Sequence, residues 1–221
     1  MRNTSYVDSF DLGQAFKDWI RIITQPAAFF QEMTGTTGFS APLAISLLYL
    51  GPVMVAAIIN TMKLQLTAGT LNPAFAIGAV FGMIIGLAIV VPLILLGMFF
   101  FAWIMHMVGL LFGNKSPFSA SFRALAFSYA PAPLLQIPIA LFGNGLQGLN
   151  PITGLIGFVG FVWFSVLLVM AVSSEQEIST GPAVGVVVIT YIVLGVIAVV
   201  IGFIFAAVFA SLFSGMFHSM H

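Results

Sequence analysis

The sequence predicts an all-α, polytopic membrane helix bundle, with five transmembrane helices and an N-terminal interfacial amphipathic helix. Two observations carry that prediction. The first is composition: of 221 residues, 61% are hydrophobic and only 5% charged, too few polar groups to cover a water-soluble surface. The second is where the six basic and six acidic side chains fall. Uncharged stretches of about 50 residues separate Lys63 from Lys115 and Arg123 from Glu175, where about 20 residues are enough to cross a bilayer. The formal net charge is zero, which gives no reason to expect nucleic acid as a partner. Cysteine is absent, excluding disulfides, thiolate metal sites and cysteine nucleophiles.

Residues 1–38 read as a cytoplasmic or interfacial segment and residues 39–221 as the transmembrane domain. Within the first, Leu12, Phe16, Trp19, Ile20 and Ile23 recur at helical spacing. Asp11, Gln14, Asp18, Arg21 and Gln25 fall largely on the other side. Trp and Phe on such a stripe suit the headgroup boundary. Pro26 fits the first turn of a second, shorter helix carrying Phe29 and Phe30, and the run from Thr34 to Gly38 ends it. The chain opens on polar residues of mixed charge rather than a basic stretch followed by a short apolar one, so the first span is expected to direct insertion.

Five spans follow: Ala41 to Asn60, Ala74 to Phe112, Phe118 to Leu141, Ile152 to Val172 and Pro182 to Phe213. At about 1.5 Å per residue the second outruns a hydrocarbon core of about 30 Å, so it tilts, projects, or divides near Pro92. Charge decides. With five spans, Arg2, Lys17, Arg21, Lys115 and Arg123 share one side and Lys63 stands alone on the other. That places the N-terminus in the cytoplasm and the C-terminus outside; dividing the second span erases the asymmetry.

Helices in lipid associate through close backbone approach and a few polar contacts. Gly78, Gly82 and Gly86 recur every four residues in the second span, and Gly154, Gly157 and Gly160 every three in the fourth. Both series are expected to pack helices within the chain, with self-association as the alternative. In the third span Pro131, Pro133 and Pro138, with Tyr129 and Gln136 among them, forbid a regular helix. The freed carbonyls either meet Ser128, Tyr129 or a neighbouring segment, or line a wet cavity of the kind transporters use.

Residues Phe122 to Pro131, Phe-Arg-Ala-Leu-Ala-Phe-Ser-Tyr-Ala-Pro, followed by Ile137 and Pro138, resemble the third-span signature of the Yip-domain family, membrane proteins named for interaction with Ypt/Rab GTPases. The stretch from Trp19 to Met33, with Thr24-Gln25-Pro26 and Phe29-Phe30, is similar to the segment that opens prokaryotic members. Phe39 to Leu43, Ala102-Trp103 to His106, Leu111 to Gly113, Trp163 and the link from Glu175 to Ala183 also fit, in order, over nearly the whole chain. The resemblance implies five spans, a cytoplasmic N-terminus and a multi-pass protein of the prokaryotic cell (inner) membrane. The loop from Gly143 to Asn150 departs from it, being longer and more polar than the tight Pro-Gly turn expected there. Eukaryotic members are linked to vesicle traffic; the prokaryotic branch supplies no biochemical role to carry over.

His106 is the one ionisable side chain well inside a predicted span, a candidate for proton relay or ligand contact, although it has no charged partner at comparable depth. Arg123, with Lys115, fits either a lipid-phosphate contact or a topology anchor. Glu175 and Glu177, with Ser179 and Thr180, fit the start of the fifth helix as caps. His218 and His221 beside Met216 and Met220 form at most a weak soft-metal site on a fraying end. No paired carboxylates stand in any span, and His106 with Ser128 does not make a nucleophilic centre, so no catalytic residue, metal or cofactor is assigned. The expected partners are the lipid bilayer and other membrane proteins or a second copy. Two functions remain: a non-catalytic membrane scaffold or adaptor, and a protein moving ions, solutes or lipids by way of His106, Tyr129, Pro131, Gln136 and Pro138.

Overall fold

The computed structural model describes residues 10–33, 38–67, 73–142 and 151–218. All of its described regular structure is helical: α1 (Leu12–Thr24), α2 (Pro26–Met33), α3 (Ser40–Leu48), α4 (Leu50–Thr67), α5 (Pro73–Leu111), α6 (Phe118–Ser128), α7 (Ala132–Phe142), α8 (Pro151–Glu175) and α9 (Thr180–His218). Four segments among the described residues are long and apolar enough to cross a membrane: Ala88–Leu111, Phe118–Leu141, Pro151–Glu175 and Thr180–Ser211. The first predicted span is instead divided at Tyr49 into helices of 9 and 18 residues. Pro52 explains the break, since it has no N–H to offer the carbonyl of Leu48 and clashes with it in a continuous helix. The long second span stays whole: α5 runs 39 residues with Pro92 inside it.

Local chemistry fixes the ends. Asp11 caps α1, its carboxylate accepting from the backbone N–H groups of Gly13 (2.7 Å) and Gln14 (3.2 Å), which satisfies two of the first-turn donors. Helices α5 and α8 close in the same way at the same end of the bundle. Asn114 N–H reaches Gly109 C=O and Gly113 N–H reaches Leu110 C=O; Ile178 N–H reaches Ser173 C=O and Glu177 N–H reaches Ser174 C=O. Both are Schellman closures, which need a left-handed residue just past the helix. Gly113 supplies it at φ 86°, and Glu177, unusually for a residue with a Cβ, at φ 53°.

Burial divides the molecule into two tiers. Helix α6 is buried from Ser119 to Ser128, enclosed by α3, α5 and α8 and touched by α1. In α5, Met98, Ala102, Ile104, Met105 and Val108 are buried, whereas the described side chains from Phe81 to Gly97 are exposed or partly so. Helix α9 mirrors this: Ala183, Val186, Val187 and Thr190 are buried and Tyr191 to Ser211 face outward to varying degrees. One tier is therefore packed like a protein interior, around Phe29, Phe30, Phe122 and Phe127. The other presents apolar side chains on its outside, with α4 packed on α7. Lys63 ties that pair, its ammonium donating to Ala140 C=O at 2.8 Å and Leu141 C=O at 2.5 Å, carbonyls that a helix C-terminus leaves unmet.

Among the described residues, only one of the six glycines expected to pack helices meets a neighbouring helix. No described atom lies within 4 Å of a Cβ placed on Gly78, Gly82, Gly86, Gly154 or Gly157, so among the described residues those surfaces are open. Gly160 is the exception, with the Leu135 side chain of α7 seated where its Cβ would stand. The close approaches that do occur are at Gly109, over Gln176, and Gly185, under the Phe112 ring.

Candidate functional site

The packed tier collects most of the buried polar groups, and α6 is the strip they line. Arg123 and Glu175 are both buried, and Arg123 donates from Nη2 (2.7 Å) and Nε (3.1 Å) to Glu175 Oε2. A phosphate-binding Arg123 is thus corrected: its guanidinium is committed to a carboxylate on α8, and Lys115 nearby is exposed. The cap reading of Glu175 is corrected with it, because Glu175 ends α8 and faces α6. Arg123 Nη1, Glu175 Oε1 and Gln176 Oε1 have no hydrogen-bond partner among the described residues.

A second ladder leaves α6 at Ser121. Gln176 Nε2 donates to Ser121 Oγ at 3.0 Å, and the same hydroxyl lies 3.3 Å from His106 Nδ1. Asn114 Nδ2 is 3.4 Å from that same ring nitrogen, and its Oδ1 accepts from Ser116 N–H at 2.8 Å. The serine beside His106 is therefore Ser121 rather than Ser128, whose hydroxyl bonds Ala124 C=O one turn back. A nucleophile–base–orienter arrangement places its orienter on the second ring nitrogen. Here both partners share Nδ1, the geometry of a structural histidine.

The break in the third span is where the two tiers meet, and its hydrogen bonds can be followed carbonyl by carbonyl. Pro131 and Pro133 interrupt the helix at Tyr129–Pro131, and the chain tightens there: Ala130 N–H turns to Phe127 C=O (3.1 Å) and Leu134 N–H to Pro131 C=O (3.1 Å). In a regular helix those two donors serve Ala126 and Ala130. The orphaned carbonyls are taken from outside, Ala126 by the Tyr49 hydroxyl at 3.1 Å and Ala130 by the Trp19 indole N–H at 2.7 Å. Neither donor is legible from spacing, which marks Trp19 as a member of an interfacial stripe and gives Tyr49 no role.

The remaining candidates do not converge. Tyr129 sits against the Phe164 ring at 4.8 Å. Gln136 is exposed on α7 and Pro138 is half-buried in the same helix. His106 lies against Phe118 at the far end of α6. His221 and the loop Gly143 to Asn150 lie outside the described residues, and of His218 only its backbone place in α9 is described. Among the described residues no three His, Cys, Asp or Glu side chains stand together as metal ligands.

Comparison with known proteins agrees with the architecture. No curated protein and no solved structure matches the chain. The family model described as the Yip1 domain matches residues 20–202, from α1 through the exposed part of α9. With that match spanning most of its length and a helical bundle bearing several membrane-crossing segments, the chain belongs to the Yip1-domain family of membrane proteins.

Proposed function

We propose that this protein is a non-catalytic, five-crossing scaffold of the cell membrane, N-terminus in the cytoplasm and C-terminus outside, with a protein-packed tier on the cytoplasmic face. The crossings are α3–α4, α5, α6–α7, α8 and α9. The observation that carries the reading is the two-tier burial. At about 1.5 Å per residue a 39-residue helix is about 58 Å long, roughly twice a hydrocarbon core. The outward apolar residues of α5 and α9 fill about one membrane thickness, and the remainder of each helix lies in the packed tier, where α5 meets α6 and α9, and α9 meets α5 and α8. Such a placement removes the mismatch without tilt and keeps the Arg123–Glu175 pair out of the hydrocarbon, where charge is costly.

In this arrangement α1 is an interfacial helix. Its inner edge is fixed by buried Ile22 and by Trp19, while Phe10, Leu12, Phe16 and Ile20 are all about half exposed or more. An outward apolar stripe beside exposed Lys17 suits the headgroup boundary of an anionic leaflet. Adaptor function is favoured over transport because His106 on α5, Tyr129 at the break and Gln136 on α7 stand apart, and the Ala126 and Ala130 carbonyls of the break are occupied by protein donors. Purified protein in liposomes is expected to give no proton, ion or lipid movement above protein-free vesicles. Flux that disappears in a His106→Ala or Tyr129→Phe variant would sink the scaffold reading.

A further inference from the structure

The hinge at Tyr129–Pro131 is held shut by groups that belong to the N-terminal part of the chain. Two carbonyls one helical turn apart, Ala126 and Ala130, depend on donors from two different elements: the Tyr49 hydroxyl at the α3–α4 corner and the Trp19 indole of α1. Both side chains keep only a ring and a single polar atom in play, so each acts as a pin with few rotamers to lose. Trp19 is also the side chain that joins the inner and outer sides of α1. Its ring meets the exposed Phe16 ring edge-on, centroids 5.9 Å apart. On the inner side α2 follows, with Phe29 against Phe127, the residue whose carbonyl receives the displaced Ala130 N–H. A continuous path of touching groups thus runs from the outward face of α1 to the break in α6–α7.

We propose that α1 is a latch on this hinge: movement of α1 on the lipid surface withdraws the Trp19 indole and frees α6 and α7 to change their mutual angle. The inference rests on the reading of α1 as an interfacial helix for its trigger, and on the two hydrogen bonds alone for its mechanism. Carbonyls beside a bilayer have few alternative donors, so removing a pin loosens the hinge rather than merely exchanging one partner for water. The two ends of the span are unaffected, because Arg123 remains held by Glu175 and the α7 carbonyls by Lys63.

The test uses the full chain in phosphatidylcholine nanodiscs, with and without phosphatidylglycerol. Since cysteine is absent, spin labels at Lys115→Cys and Leu141→Cys report the distance across the hinge alone. Trp19→Phe and Tyr49→Phe are expected to broaden that distribution. They should also raise deuterium uptake at the amides of Ala130, Ala132 and Leu134 about tenfold, the scale of one lost hydrogen bond. The pair is expected to exceed either alone, while Trp103→Phe, on an exposed α5 position, should change neither. Phe16→Ser, which keeps both donors, should raise the same exchange by loosening Trp19, and it decides the matter if the Trp19 variant fails to fold. Unchanged distance and exchange in the double variant, or unchanged exchange in Phe16→Ser, would overturn the latch. A polarity-sensitive probe at position 16 reads the other premise separately: a water-like signal there removes the interfacial reading without touching the hinge result.

Discussion

Gly109 shows how a single missing Cβ organises the buried polar end of the packed tier. A Cβ there would stand 2.5 Å from Gln176 Oε1 and 3.2 Å from Asn114 Nδ2, so the amide of Gln176 lies directly over the α5 backbone and is aimed at Ser121 by that contact. Gly109→Ala is expected to push Gln176 off Ser121 and cost about 1–3 kcal/mol, the range for overpacking a filled site. Thermal unfolding in detergent would measure it, with Gly82→Ala as the contrast, since nothing described lies within 4 Å of that position. A Gly82 variant as damaging as the Gly109 one would show that clash is not the cause. The sequence advertised the regular glycine series and was silent on Gly109. Spacing identifies small residues on one face of a helix, but which of them another side chain covers depends on where the neighbouring helix end falls.

Between elements, the buried pair of Arg123 and Glu175 joins the middle of α6 to the end of α8. Both side chains are nearly inaccessible, 3% and 0% exposed, and each keeps an atom with no partner among the described residues. Coulomb attraction in such a place roughly offsets desolvation, so the pair adds little net stability while either partner alone is expensive. Arg123→Met is expected to destabilise by about 3–5 kcal/mol, and Arg123→Met with Glu175→Leu by much less. Chemical denaturation of the two single variants and the double would give the coupling. Additive losses would mean the pair is not the contact described. From the sequence Arg123 was a cytoplasmic-edge cation and Glu175 a link residue, because 52 residues separate them and no local pattern connects charges on different helices. The proline break was legible in the same stretch. What satisfies it was not, since Trp19 and Tyr49 reach it from 111 and 77 residues away.

For the whole molecule, the division into tiers makes a depth prediction along one helix. Single cysteines placed in α5 at Ile85, Ile89, Leu93 and Leu96, all exposed apolar positions, are expected to be shielded from a water-soluble maleimide and quenched by brominated lipid. One at Leu111, the most exposed large apolar side chain described in that helix at 82%, is expected to react from the cytoplasmic side. Lipid quenching at Leu111 as strong as at Ile89 would place the membrane over the packed tier and refute the proposed slab.

Composition and charge spacing by themselves determined that this polypeptide dissolves in lipid, that it is helical throughout its apolar stretches, and roughly where each of those stretches begins. These are properties of the solvent and of local backbone satisfaction: hydrocarbon offers no hydrogen bonds, so each apolar run must close its own. Proline positions added the break at Tyr129–Pro131 because a missing N–H acts within one turn. Only the tertiary structure decided that α5 serves two tiers, that Arg123 faces Glu175 rather than solvent, and that Trp19 of the N-terminal helix meets the break at Ala130. Each of those is a contact between segments far apart in the chain, where the identity of the partner depends on the packing of whole helices and leaves no periodic trace in either segment.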